Sequence, residues 1–221
     1  MSQQIIFGLI AEGTTDIKFL RNVIHRTISD LSWECDGEFD IYDIQIISAN
    51  GDTFVSKMMD ALRKSFARTH ALCIHTDADA RSIENVMQWK FNPLIEAVQE
   101  SEDDKLCKII VPTIPVRMME AWMLADTQLL KHFINAENCS DNMLGIDKNP
   151  ESYADPKGII NDAIRIAFSS QTKRRRNQIT IDDLYETIGN SIRLDSLRRL
   201  DSFRTFEDNV RQAFRQLNLL H

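Results

Sequence analysis

The stretch that decides the fold is Ile5-Ile6-Phe7-Gly8-Leu9-Ile10-Ala11-Glu12-Gly13-Thr14-Thr15-Asp16. A continuous apolar run over residues 5–11 marks a strand buried on both faces, as in a parallel sheet covered by helices. Gly13 breaks the run, and Glu12 stands at its end. A helix is expected from about Thr15, with Ile17, Phe19, Leu20, Val23, Ile24 and Thr27 near one face. The same grammar repeats downstream. Strand signals at Ile41–Ile47, Ala71–Thr76 and Lys108–Val111 alternate with two helical stretches. The first opens at Asn50-Gly51-Asp52, with Phe54, Val55, Met58, Met59, Leu62 and Phe66 at helical spacing. The second runs from about Ser82 to Gln99, and Pro93 is expected to kink or split it. Strand–helix alternation of this kind predicts an α/β fold, a parallel sheet flanked by helices.

Beyond residue 111 the pattern changes. Pro112 and Pro115 are read as bracketing a loop, followed by helical patterns at Met118–Ala125 and Leu129–Phe133. Residues 135–157 are polar and read as a long loop. Three more helical patterns follow, at roughly 158–169, 181–192 and 204–217. The expected division is a first domain over 1–126 and a helical extension over 127–221, although the later helices could equally pack on the sheet.

The bulk numbers bound the function. The chain has 221 residues, 43% hydrophobic and 27% charged, with a net charge of -7. That is globular composition, long enough for a core without disulfide staples. The negative charge argues against coating nucleic acid by bulk electrostatics, but not against an enzyme with local cationic groups. Cys35, Cys73, Cys107 and Cys139 lie far apart, which suits reduced thiols better than a disulfide frame or a zinc site. No apolar run reaches the roughly 18–20 residues of a membrane span, and no basic segment precedes the first apolar one. A cytoplasmic protein is expected.

Two acidic loops carry the chemistry. The first, A-E-G-T-T-D, places Glu12 at a strand end and Asp16 in the first turn of a helix. The second, H-T-D-A-D-A-R, places Asp77 and Asp79 just past the third strand. Ligands of open parallel sheets bind outside the carboxyl ends of the strands, so these loops are expected to converge. Clustered carboxylates repel one another unless a cation neutralises them. Hard oxygen donors favour Mg²⁺ or Mn²⁺ over zinc. Each loop also has a plainer reading, as a turn or as a common D-x-D; it is their conjunction at strand ends of one sheet that points to a shared site. Gly8–Thr15 nearly spells a phosphate-binding loop, but Thr14 stands where a lysine is required and Glu12 would repel phosphate.

These residues resemble the TOPRIM motif of primases, type IA and II topoisomerases and OLD-type nucleases: a glutamate after the first strand and a D-x-D after the third. The E-G-x-T-D form of Glu12 to Asp16 is most similar to OLD-type and small stand-alone TOPRIM proteins. Ile114 to Asp126, I-P-V-R-M-M-E-A-W-M-L-A-D, resembles a segment of small bacterial TOPRIM-like proteins. The resemblance covers residues 5–126. It implies Glu12 as general acid/base or metal ligand, Asp77 and Asp79 as Mg²⁺ ligands, Asp16 as a further ligand, and Glu120 as part of a second metal site. Glu120 reads equally as a carboxylate at a helix N-terminus. The family further implies a nuclease acting as a toxic effector in bacterial phage defence, with an ATPase supplied by a partner protein.

Cationic residues that could hold a nucleic-acid backbone are Arg81, directly after the D-x-D, and the run Lys173, Arg174, Arg175 and Arg176, with Arg193, Arg198 and Arg199 as extensions. Such a run is more often a solvated loop. His75 and Trp122 read as core residues, and Tyr42, Tyr153 and Tyr185 sit in no recognisable catalytic setting. The expected function is a Mg²⁺- or Mn²⁺-dependent nuclease on DNA or RNA; a homo-oligomer is compatible with the sequence. The alternatives are a non-catalytic interaction module and a phosphotransfer enzyme acting on a small nucleotide.

Overall fold

The computed structural model describes residues 3–169 and 179–221, so the basic run Lys173–Arg176 lies outside the described residues. The predicted α/β class holds. Strands β1 (Gln3–Ile5) and β2 (Phe7–Ile10) are one run interrupted at Ile6, and they pair in parallel with β3 (Phe39–Ile41) and β4 (Gln45–Ile46). Gln3 faces Phe39, whereas Gly8 faces Gln45, so the second run carries one extra residue, as at a bulge. With β5 (Ala71–His75) and β6 (Ile110–Thr113), the main sheet has the order β4-β2-β5-β6, all parallel.

Alternation along the strands sorts their side chains into two cores. Phe7, Leu9, Ala71, Cys73 and Val111 enter the larger one, with helix α1 (Thr14–Leu31) and the C-terminal helices. Ile10, Leu72 and Ile74 enter the smaller one, with helix α2 (Phe54–Ser65) and the helical segment after β5. α1 starts on Gly13, whose amide donates to Asp16 Oδ2 at 2.8 Å, and α2 on a reciprocal pair between Thr53 and Ser56.

The segment after β5 is split, as Pro93 led us to expect. α3 (Glu84–Val86) runs into a π turn (Met87–Phe91), then α4 (Asn92–Gln99). Pro93 offers no N–H, and its ring crowds the carbonyl four residues back. Widening the turn to the Asn92 N–H → Met87 O bond relieves that crowding.

The reading of Pro112 as loop is corrected: it lies inside β6. β6 is an edge strand, where an outward position needs no ladder donor. The Pro112 carbonyl accepts from Asn209 Nδ2 at 2.9 Å. Residues 135–157 also hold more structure than predicted, with α7 (Asp141–Leu144) and a 3-10 turn (Pro150–Ser152) between α6 (Thr127–Phe133) and α8 (Pro156–Ala167). Before α6 stands α5 (Glu120–Met123). After the undescribed segment come α9 (Ile181–Ser191), α10 (Leu194–Leu197) and α11 (Asp201–Gln216). These later helices share the larger core with α1: Trp122, Tyr185, Phe203, Phe206 and Phe214 are all buried in it. The Trp122 indole donates to Ser202 Oγ at 2.8 Å. Among the described residues no helix is long and apolar enough to cross a membrane.

Candidate active site

The strand order fixes where a ligand can sit. From β2 the chain moves to one side of the sheet, through α1 to β3 and β4; from β5 it moves to the other, through α3 and α4 to β6. The connections diverge between β2 and β5 and leave a crevice at their carboxyl ends. Glu12 follows β2 and Asp77 follows β5, so the two acidic loops line this crevice from adjacent strands.

On the α1 face the group is Asp16, His75 and Asp77. His75 continues the alternation of Ala71 and Cys73, which points it beneath the start of α1. Its Nε2 lies 3.3 Å from Asp77 Oδ1 and its Nδ1 lies 3.8 Å from Asp16 Oδ2. The imidazole is buried, yet neither nitrogen has a hydrogen bond of acceptable geometry. Asp77 Oδ1 also accepts the Met119 backbone N–H at 2.9 Å, which ties the D-x-D loop to the start of α5. Burial pushes the Asp16 carboxyl above the usual aspartate range. The nearby Asp77 and Glu12 push it the same way, against His75 and the Gly13 amide.

On the opposite face the group is Glu12, Thr76 and Lys90. The Thr76 hydroxyl donates to Glu12 Oε1 at 2.6 Å and accepts from Lys90 Nζ at 2.7 Å. Lys90 Nζ stands 3.9 Å from Glu12 Oε1 and 5.5 Å from the centre of the Phe54 ring. Glu12 is thus oriented from below by a hydroxyl and a lysine.

The other predicted residues have different settings. Asp79 is exposed, and its backbone is left-handed, with φ 51°. Arg117 mirrors it at φ 65°, and the two loops are laced together: Asp79 N–H donates to Arg117 O at 2.9 Å, and Arg117 N–H donates to Ala80 O at 3.0 Å. Non-glycine residues in this region cost roughly 1–3 kcal/mol each and collect at functional sites. Arg117 Nε is buried without a partner. Glu120 begins α5 and is buried; its Oε1 accepts from the Tyr185 hydroxyl at 2.5 Å and lies 3.8 Å from Lys157 Nζ. Its partners in the fold are thus Tyr185 and Lys157, while the adjacent Met119 amide is bonded to Asp77. Burial and the adjacent Glu120 raise the Tyr185 phenol, which gives Tyr185 a setting that the sequence did not reveal. Arg81 is exposed beside the site. Arg193 and Arg198 are committed to ion pairs within the fold, with Asp126 and with Glu207 and Asp30.

Sequence reasoning passed over Thr76, Lys90 and Arg117, and it weighed His75 as core. Pro93 signals the irregular helix that delivers Lys90, but nothing in the sequence gives its direction.

Among the described residues no three His, Cys, Asp or Glu side chains close around a point as a cage for a metal ion. Mg²⁺ does not need one. It keeps several waters and is commonly held by one or two carboxylates plus substrate phosphate. Asp77 and Asp16, each from its own loop and each beside a different nitrogen of the buried His75, are the carboxylates available to that mode. No protein-family profile, curated protein or solved structure matches this chain.

Proposed function

We propose that this chain is a metal-dependent nuclease, hydrolysing phosphodiester bonds at the crevice between β2 and β5. The observation that carries the reading is the approach of Asp16 and Asp77 to the two ring nitrogens of buried His75, with Glu12 on the adjoining strand end. Burying a polar group without partners costs free energy that folding alone does not repay. Such a cost is typical of a site arranged for a ligand. The TOPRIM resemblance of Glu12 and Asp77-Ala78-Asp79 points the same way.

Asp16 and Asp77, with Glu12 or Asp79 at the rim, would hold Mg²⁺ or Mn²⁺. The ion would polarise the phosphodiester and lower the pKa of a bound water. The chain's own part follows from its geometry. Glu12, fixed by Thr76 and Lys90, takes the proton as the water oxygen bonds to phosphorus. The ester P–O bond breaks, and the leaving oxygen takes a proton from solvent. Met119 N–H and His75 keep Asp77 from swinging away. In this reading the enzyme is a toxic effector of phage defence whose ATP-dependent control comes from a partner protein.

The open arrangement of the carboxylates favours a second reading, a non-catalytic interaction module that keeps the fold. Purified protein incubated with plasmid DNA and total RNA in Mg²⁺, Mn²⁺ or EDTA separates the two. Metal-dependent cleavage that disappears in Glu12→Gln and Asp77→Asn supports the nuclease. Absence of both cleavage and calorimetric metal binding refutes it and supports the module.

A further inference from the structure

The π turn Met87–Phe91 presents three consecutive side chains in three different ways. Phe91 is fully buried in the smaller core, edge-on to Phe54 with ring centres 5.5 Å apart. Lys90 reaches Thr76 and Glu12, with its ammonium over the Phe54 ring. Trp89 is left 72% exposed. Phe91 anchors the turn in the core, and Pro93 follows it at the start of α4. π turns inside helices occur frequently at functional sites.

We propose that this turn is a grip for single-stranded nucleic acid: Trp89 stacks on a base while Lys90 contacts the phosphate beside Glu12. The proposal rests on the nuclease reading, whose substrate class it narrows. Trp89 and Lys90 are consecutive in the turn, and the Lys90 ammonium already stands at the catalytic carboxylate. A chain of net charge -7 gains little from bulk electrostatic attraction to nucleic acid. Base–aromatic stacking is independent of charge and tolerant of sequence, and it requires bases that are not paired in a duplex. Arg81, exposed on the loop after β5, adds a cationic group at the same end of the sheet.

Trp33 supplies an internal control. It is 90% exposed but follows the C-terminal end of α1. α1 starts at the crevice and has 18 residues, so its far end lies roughly 27 Å away. Trp122, the remaining tryptophan, is buried and bonded to Ser202.

Fluorescence titration with short oligothymidylate and oligouridylate, in Ca²⁺ to suppress turnover, tests the grip against a duplex of equal length. Expected results are quenching by single strands that survives in Trp33→Phe and vanishes in Trp89→Phe. Trp89→Ala should weaken single-strand affinity by at least roughly fivefold. Lys90→Met should weaken it as well, with Lys90→Arg retaining most of it. Unchanged affinity in Trp89→Ala, preference for the duplex, or no binding by the wild-type chain overturns the proposal. Thermal melts of each variant guard against misfolding. Single-strand binding with these properties, but with neither cleavage nor calorimetric binding of Mg²⁺ or Mn²⁺, keeps the grip and rejects the nuclease.

Discussion

His75 Nε2 stands 3.3 Å from Asp77 Oδ1, inside a buried pocket where neither ring nitrogen completes a hydrogen bond. With Asp16 on the other nitrogen at 3.8 Å, the imidazole is the wedge between two carboxylates from different loops. A histidine that served packing alone could be replaced by an apolar residue without consequence for chemistry.

Replacing it therefore separates the two roles. In His75→Leu the volume is kept and the wedge loses its polar atoms. The fold should persist by circular dichroism, while Mg²⁺-dependent cleavage and calorimetric metal affinity each drop by at least about tenfold, the usual cost of removing an outer-shell partner. His75→Gln, which can still donate to one carboxylate, should fall between. Wild-type cleavage in His75→Leu would return His75 to the core.

Asp16 makes a prediction of opposite sign for stability and activity. Its folded pKa is raised, mainly by burial. Its contribution to stability is therefore fully present below the ordinary aspartate pKa and is lost as pH rises through the folded value. At neutral pH the charged form is a net cost to the fold. Asp16→Asn should melt at a higher temperature than wild type at pH 7 in EDTA, and the gap should close in acid. Cleavage should fall at least roughly tenfold. A lower melting temperature at pH 7 would contradict the burial argument.

The parts of this arrangement that were legible in the sequence share one property: they are written locally. The apolar runs before Glu12 and Asp77 specify strands whose ends carry the acids, and adjacency of β2 and β5 brings them together. Pro93 announced a broken helix, though the aim of Lys90 is seen only once Phe91 packs on Phe54 across the smaller core. Tyr185 and Glu120 meet across 65 positions, and no periodicity encodes such a pairing. Pro112 was misread because its tolerance in a strand depends on which strand lies at the edge. α7 was missed because four residues are too few to display a helical repeat.

Asp126 offers a pH-dependent test of how the later helices are fastened. Its buried carboxylate caps α6 through the Leu129 N–H and accepts from Arg193 Nε at 2.8 Å and Ser196 Oγ at 3.2 Å. Burial pushes its pKa up, but Arg193, the Leu129 amide and Ser196 together outweigh burial, and the net shift is downward. A depressed folded pKa gives stability that is present above the ordinary carboxylate value and lost as pH falls through the folded one. Asp126→Ala should cost about 2 kcal/mol in urea unfolding at pH 7. The difference from wild type should shrink below about pH 4. A pH-independent difference would mean that packing, not the charge, is what Asp126 contributes.

Gly189 tests the contact between the two ends of the chain. It lies in α9, where an added Cβ would stand 2.7 Å from the Phe19 carbonyl oxygen of α1, and its own carbonyl accepts from Arg26 Nη1 at 3.2 Å. In an isolated helix Gly→Ala is favourable by about 1 kcal/mol. Here the obstacle is backbone, which cannot rotate aside, and forcing two packed helices apart costs about 1–3 kcal/mol. The clash should win. Gly189→Ala is expected to lower the melting temperature, and Gly189→Val to lower it further and to impair cleavage, because α1 also carries Asp16. If alanine instead raises the melting temperature, as helix propensity alone would have it, then α9 does not approach α1 this closely and the support beneath Asp16 lies elsewhere.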